Sequence, residues 1–181
     1  MAFSPLKSQD LVWFNFDTSE QIEAFVIVND GVMGGRSQSE VQATNAGTMI
    51  FQGNVSLENN GGFASTRALM PERDLSGYAG IRFRLKGDGK TYSLRVRSSA
   101  YFDGLAYRYD VYLPADEWKE VLVPFEKFTP TFRGRMMSQM PDLDPNSIRQ
   151  VGFLIAAKQA GAFQLEVDEI SAYADGSAPK D

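Results

Sequence analysis

The sequence predicts an all-β sandwich, on three observations. Aromatic residues make up 12% of the chain, led by 13 Phe and 7 Tyr, and flat, bulky side chains fit a pleated, half-buried surface. Apolar and polar residues alternate in short runs, the period of a strand with one face in a core. Gly, Asn, Asp and Pro clusters separate the runs, and no segment keeps a helical period for long, a pattern of sandwiches and jelly rolls. With 181 residues, 43% of them hydrophobic, one core can close, so a single domain is expected over residues 1–181, with its body at about 12–173 and a frayed tail at 174–181.

Leu11-Val12-Trp13-Phe14-Asn15-Phe16 reads as an opening strand and Thr18 to Ala24 as one short helical turn. Phe25-Val26-Ile27-Val28 is strand-like and stops at Asn29-Asp30-Gly31, a turn signal because Asp and Gly tolerate left-handed backbone angles. Met33-Gly34-Gly35 prolongs the irregular segment before Ser37 to Gln42 resumes the alternation. Thr48 to Gly53 and Asn54 to Glu58 read as two strand segments with a bulge or bend at the glycine. Asn59-Asn60-Gly61-Gly62 breaks the chain, Phe63 to Leu69 continues as a strand, and Met70 to Gly77 makes a loop.

The clearest alternation is Ile81-Arg82-Phe83-Arg84-Leu85-Lys86, then Gly87-Asp88-Gly89-Lys90, then Tyr92-Ser93-Leu94-Arg95-Val96-Arg97. It reads as a hairpin with one apolar and one cationic face. Runs at Tyr107 to Tyr112, Glu120 to Pro124, Gln150 to Ile155 and Phe163 to Ile170 complete the strands, and Phe132 to Asn146, with no steady period, reads as a long surface loop.

The chain contains no cysteine and no histidine, which removes disulfides, thiolate nucleophiles, Cys/His zinc sites and imidazole bases together. No catalytic residue, cofactor or metal site is assigned, and the expectation is a protein that is not an enzyme. The net charge of -5 gives a global field that repels nucleic acid and anionic membranes, so no nucleic-acid partner is expected. No apolar run approaches membrane-spanning length, and the N-terminal residues lack the pattern of a secretory leader, so a cytoplasmic location is expected.

Several groups are candidates for binding. In the glycine-rich turn, Asn29, Asp30, Met33, Arg36 and Ser37 either receive a ligand or partner peptide, or sit in a corner whose glycines only supply backbone angles. Asn59 and Asn60 offer amides suited to sugar hydroxyls or a peptide backbone, or simply form a left-handed turn. Arg82, Arg84, Lys86, Arg95 and Arg97 share the cationic face of the expected hairpin, near Tyr107, Arg108 and Tyr112. Like charges on neighbouring strands need compensation, either from Asp and Glu on adjacent strands or from an acidic partner or anionic ligand. Asp17, Asp168 and Glu169 would meet at one end of the sandwich if the first and last strands pair, an oxygen-ligand arrangement of the calcium type, or remain solvated carboxylates. Trp13 and Trp118 are either sugar-stacking rings or core or strand-edge residues. Met136, Met137 and Met140 either offer an adaptable apolar surface or close one end of the fold.

At Val28-Asn29-Asp30-Gly31-Val32-Met33-Gly34-Gly35-Arg36-Ser37 the sequence resembles the signature of the complex I intermediate-associated protein 30 family. The resemblance continues through Phe51 to Ser65, Asp74-Leu75-Ser76-Gly77-Tyr78, Lys86-Gly87-Asp88-Gly89, Trp118, Val123-Pro124-Phe125 and Phe163 to Ile170. It implies a galactose-binding-like jelly-roll β-sandwich, no known catalysis, and a role as assembly factor or chaperone whose partner is a subunit or intermediate of a membrane complex of the NADH dehydrogenase type. Because carbohydrate-binding modules share that architecture, a carbohydrate ligand stands as the alternative.

Overall fold

A computed structural model describes residues 10–98, 105–133 and 135–174, with only the backbone described at Val32 and Met33. The strands are β1 (Leu11–Phe14), β2 (Phe25–Ile27), β3 (Gln38–Ala43), β4 (Met49–Val55), β5 (Ala64–Leu69), β6 (Gly80–Lys86) and β7 (Lys90–Arg97), then β8 (Ala106–Leu113), β9 (Trp118–Pro124), β10 (Thr129–Phe132), β11 (Arg135–Met136), β12 (Gln150–Ile155) and β13 (Gly161–Tyr173). One short helix, α1 (Ser19–Glu23), and four 3-10 turns connect them.

The described strands form two antiparallel sheets. The six-stranded sheet runs β3-β4-β13-β6-β9 with β1 also on β13, and the seven-stranded sheet runs β11-β10-β8-β7-β12-β5-β2. Their inward rows interdigitate as in a β-sandwich. Phe51, Phe83, Leu85, Leu165 and Ile170 from one sheet meet Phe25, Leu94, Val96, Val151 and Phe153 from the other, all within one continuous apolar cluster. Phe83 and Phe153 cross the interface edge to face with ring centres 6.0 Å apart, and Phe14 and Phe25 do the same at 5.0 Å.

β13 is the longest strand and the axis of its sheet. β6 pairs along its second half, whereas on the opposite edge β4 pairs with Gly161 to Val167 and β1 with Ile170 to Ala172. The pairing with β6 slips between Val167 and Glu169, so Asp168 is an inserted residue. The slip is forced by the sequence. Phe163, Leu165 and Val167 keep a period of two, but the next apolar pair, Ile170 and Ala172, has the opposite parity. One extra residue restores it, and all five side chains are buried.

Three expectations are corrected by the sheets. β6 and β7 are not a hairpin: β6 pairs with β13 and β9, and β7 pairs with β12 and β8 in the other sheet, so Arg82, Arg84 and Lys86 cannot share a face with Arg95 and Arg97. Gly53 is not a bulge, because β4 runs through it in unbroken register with β3. A Cβ there would fall 2.0 Å from the Gln38 carbonyl oxygen, so the glycine permits the close approach of β3. The segment from Phe132 to Asn146 is not wholly loop, since β10 and β11 pair across Phe132 and Arg135 and Leu143 is buried.

Deleting Asp168 leaves Phe163, Leu165, Val167, Ile170 and Ala172 in one unbroken alternation and β13 in continuous register with β6, so the deletion variant is expected to keep these side chains in the core and to retain a cooperative thermal melt by circular dichroism. Asp168→Ser keeps the insertion and loses only a half-exposed ion pair, costing less than about 1 kcal/mol. A deletion variant without a cooperative melt would show that the sheet needs the bulge itself and not only the parity that it corrects.

Candidate functional site

The glycine-rich turn folds around the carboxylate of Asp30, which is 1% exposed. Asp30 begins a 3-10 turn, Asp30–Met33, that a left-handed Gly34 closes. Its oxygens accept from the Ser37 amide at 2.9 Å, the Ser37 hydroxyl at 2.5 Å, the Gly62 amide at 2.8 Å and the Phe63 amide at 3.3 Å. A Cβ on Gly35 would lie 2.3 Å from the Asp30 carboxyl carbon, and one on Gly61 2.6 Å from its oxygen. The glycines therefore wrap the acid closely enough for backbone amides to reach it. Burial alone pushes this carboxyl up, but the hydrogen bonds from Ser37, Gly62 and Phe63 outweigh it and hold the pKa below its ordinary value of 3.8.

The neighbouring candidates are similarly engaged. Asn29 Oδ1 accepts from the Ser39 hydroxyl at 2.8 Å and the Ser65 amide at 3.2 Å. The Ser37 hydroxyl also accepts from the Ser56 amide at 3.0 Å. Arg36 is exposed and lies 3.7 Å from the equally exposed Glu58. Asn59 and Asn60 are exposed residues with φ of 56° and 59°, the left-handed conformation of a tight turn. The Met33 side chain lies outside the described residues.

The outer face of the six-stranded sheet is charge-compensated. Arg82, which is buried, pairs with Asp10 and with Glu120, the latter at 2.7 Å. Arg84 pairs with the inserted Asp168 at 2.9 Å and Lys86 with Glu166 at 2.9 Å. Glu166 also accepts from the Thr48 hydroxyl at 2.6 Å; burial pushes it up, and Thr48 and Lys86 together bring it below its ordinary value. The Trp118 ring lies under two of these cations, 5.3 Å from Arg84 Cζ and 5.1 Å from Lys86 Nζ. Asp168 is thus committed to Arg84, and among the described residues no three Asp or Glu side chains gather as a metal site would require.

The outer face of the seven-stranded sheet is built differently. Register places Arg67 of β5 opposite Gly152 of β12, Gly152 opposite Arg95 of β7, and Arg95 opposite Arg108 of β8. Three arginines thus share one row, with a residue that has no side chain between the first two. The adjoining row carries Leu69, Gln150 and Arg97, and the row on the other side carries Ser65, Leu154, Ser93 and Asp110. A small cleft opens over Gly152, lined in part by Ser65, Arg67, Arg95, Arg97 and Gln150. Arg95 is pulled down to about 10, first by burial and then by Arg108 and Arg67, with Asp110 opposing. Of this constellation, the sequence singles out Arg95 and Arg97 and names Arg108 as a neighbour. Arg67 is missed, because only the register of β5 against β12 brings it there. Tyr107 points the other way, buried, its hydroxyl donating to the Pro141 carbonyl at 3.0 Å. Tyr112 is exposed on the β8 edge.

Two antiparallel sheets packed as a galactose-binding-like jelly roll define the class, and solved structures of that class resemble this one. A family 11 carbohydrate-binding module of Clostridium thermocellum superposes with a TM-score of 0.68 at 19% identity, over 91% of this chain and 94% of that one. A family 30 module of a cellulosomal cellulase from the same organism gives a TM-score of 0.56 at 18% identity, over 93% and 99%. At such identity the likeness is one of fold. The model of the family described as Complex I intermediate-associated protein 30 matches residues 14–167, and the chain belongs to that family. It is similar to the mitochondrial complex I intermediate-associated protein 30 of Drosophila melanogaster, 25% identical over 188 residues, covering 92% of this chain and 64% of that protein. The Mus musculus protein of the same name is 26% identical over 185 residues, covering 91% and 56%. The chain therefore spans between about half and two thirds of the length of these relatives. Their names also overturn the expectation of a cytoplasmic location, since the relatives are mitochondrial proteins.

Asp30→Ala leaves buried amides and a hydroxyl without an acceptor and is expected to cost about 2–4 kcal/mol by urea titration. The pH dependence follows from the lowered pKa. The contribution of Asp30 is present in full above the ordinary carboxylate value of 3.8 and is lost as pH falls through the lower folded value. Below pH 4 the wild type should therefore lose stability more steeply than Asp30→Asn; parallel curves would remove Asp30 as the source.

Proposed function

We propose that this chain is a non-catalytic binding domain that assists the assembly of a membrane complex of the complex I type, engaging a protein subunit or intermediate of that complex. The observation that carries the reading is the family match across 14–167, together with curated relatives named for association with complex I intermediates. A chain without histidine or cysteine has few groups that ionise near neutral pH to work as an acid, base or nucleophile, which supports binding over catalysis. The jelly roll supplies a rigid scaffold with two broad outer faces. The six-stranded face is covered by its own ion pairs, and the seven-stranded face carries the arginine row, so the latter is the surface proposed for the partner.

A carbohydrate ligand has weaker support, because the likeness to carbohydrate-binding modules is one of scaffold. A sugar platform needs an aromatic ring open to the apolar face of a pyranose, and Trp118 already has two cations against its ring. On a glycan array the chain is expected to show no binding that Trp118→Ala or Asn60→Ala abolishes.

Depletion in the native host decides the assembly reading. Loss of the chain is expected to lower mature NADH dehydrogenase complex on native gels and to accumulate a subcomplex, and tagged chain is expected to co-purify with that subcomplex. Normal levels of the mature complex after depletion, with no co-purifying subunit, would overturn it.

A further inference from the structure

We propose that the row Arg67–Gly152–Arg95–Arg108 is a carboxylate-binding site whose occupant is an acidic segment of the protein partner, an inference that rests on the binding reading above. The geometry comes from register alone. β5, β12, β7 and β8 place three guanidinium groups along one line across the sheet, and Gly152 leaves the line open to backbone between Arg67 and Arg95. That opening is set by packing, since a Cβ on Gly152 would lie 2.3 Å from the Thr66 carbonyl oxygen and 2.8 Å from the Arg67 Cβ.

Arg95 is the centre. Among the described residues it makes no salt bridge, its Nε is buried without a hydrogen-bond partner, and its charged neighbours are Arg67, Arg108 and Asp110. Asp110 is itself held by the Ser93 hydroxyl at 2.5 Å and lies 3.8 Å from Arg108. A half-buried guanidinium between two others carries an electrostatic penalty in the free protein. A carboxylate supplies both the countercharge and two acceptors in the planar geometry that a guanidinium fork matches. On the opposite sheet Arg82, Arg84 and Lys86 each have such a carboxylate within the chain.

The dimensions and surroundings favour an acidic peptide over a polyphosphate. From β5 to β8 the row spans three strand spacings, about 14 Å, and alternate side chains of an extended peptide repeat at about 7 Å, so two carboxylates fit along it. Exposed apolar residues stand at the margins of the same face, Val26 at 46% beside Arg67 and Leu69 at 55% beside Gln150. A segment with two acidic residues and an apolar flank complements both features. A long polyanion would run past the row onto a protein whose net charge is -5.

The test is a fluorescence-anisotropy titration of the purified full chain with a labelled peptide alternating Glu and Ser, and with its Gln counterpart. The Glu peptide is expected to bind at least about tenfold more tightly and to weaken with added salt. Arg95→Gln and Arg108→Gln are each expected to weaken it at least about tenfold, whereas Arg84→Gln on the opposite face leaves it unchanged. Because Arg95 makes no salt bridge among the described residues and lies between two other arginines, Arg95→Gln should melt no lower than the wild type; if it fails to fold, Arg95 is structural and the proposal falls. Equal binding of the two peptides, or an equal loss in Arg84→Gln, also overturns the site. Tighter binding of single-stranded RNA or of vesicles containing anionic lipid through the same arginines overturns the acidic peptide as occupant. Restoration of mature complex by Arg95→Gln in depleted cells would refute the site while leaving the assembly reading intact.

Discussion

The parity of a single strand governs the sandwich. β13 carries β6 on one edge and both β4 and β1 on the other, and its apolar residues change phase once, between Val167 and Ile170. A strand with one buried face cannot tolerate such a change without an inserted residue, because every side chain beyond it would face the wrong way. Placing Asp168 at the insertion keeps Leu165 and Val167 over one half of the core and Ile170 and Ala172 over the other. It also puts a carboxylate outside the sheet, where Arg84 meets it at 2.9 Å. The register correction and the neutralisation of Arg84 therefore have one cause.

A second constraint holds the loops at one end. The stretch from Val28 to Ser37 and the stretch from Phe51 to Ser65, which carry the family resemblance, are two sides of one hydrogen-bonded knot. Asp30 from the first accepts amides of Gly62 and Phe63 from the second, and Ser37 reaches Ser56. A buried carboxylate is tolerated because amide and hydroxyl dipoles replace its water. Asn29 and Ser65 continue the same tie toward β5, so the knot fixes the end of the strand from which Arg67 projects.

What the sequence reveals tracks the range of the interaction. The strands are legible because alternation is local: Ile81 to Lys86, Tyr92 to Arg97 and Gln150 to Ile155 are all strands at or near the expected ends. Pairing is not, because β6 and β7 are adjacent in sequence with a glycine-rich turn between them, yet enter different sheets. The arginines of that segment are legible as a cationic pattern, whereas their division between two faces depends on pairing with β13 and β12, each more than fifty residues away. Arg67 shows the same limit, since nothing in Phe63 to Leu69 sets it apart until β12 lies alongside. Asp30 is visible as a turn residue, but its acceptor role becomes apparent only when Gly62 and Phe63 come within reach.

The two outer faces then differ in a way that bears on function. Each is cationic in its strand pattern, and one is neutralised by Asp10, Glu120, Glu166 and Asp168, residues supplied by β13, by β9 and by the chain just before β1. The strands flanking Arg95 offer instead an arginine on one side and a glycine on the other. In a chain with more acidic than basic residues, a central arginine that makes no salt bridge among the described residues and has two arginines against one aspartate as charged neighbours is a cost to the fold, one that a binding surface accounts for and a purely structural face does not. The same jelly roll in carbohydrate-binding modules shows that the scaffold admits different surfaces. Here the residues across β5, β12, β7 and β8 give that surface a charge suited to an acidic protein segment.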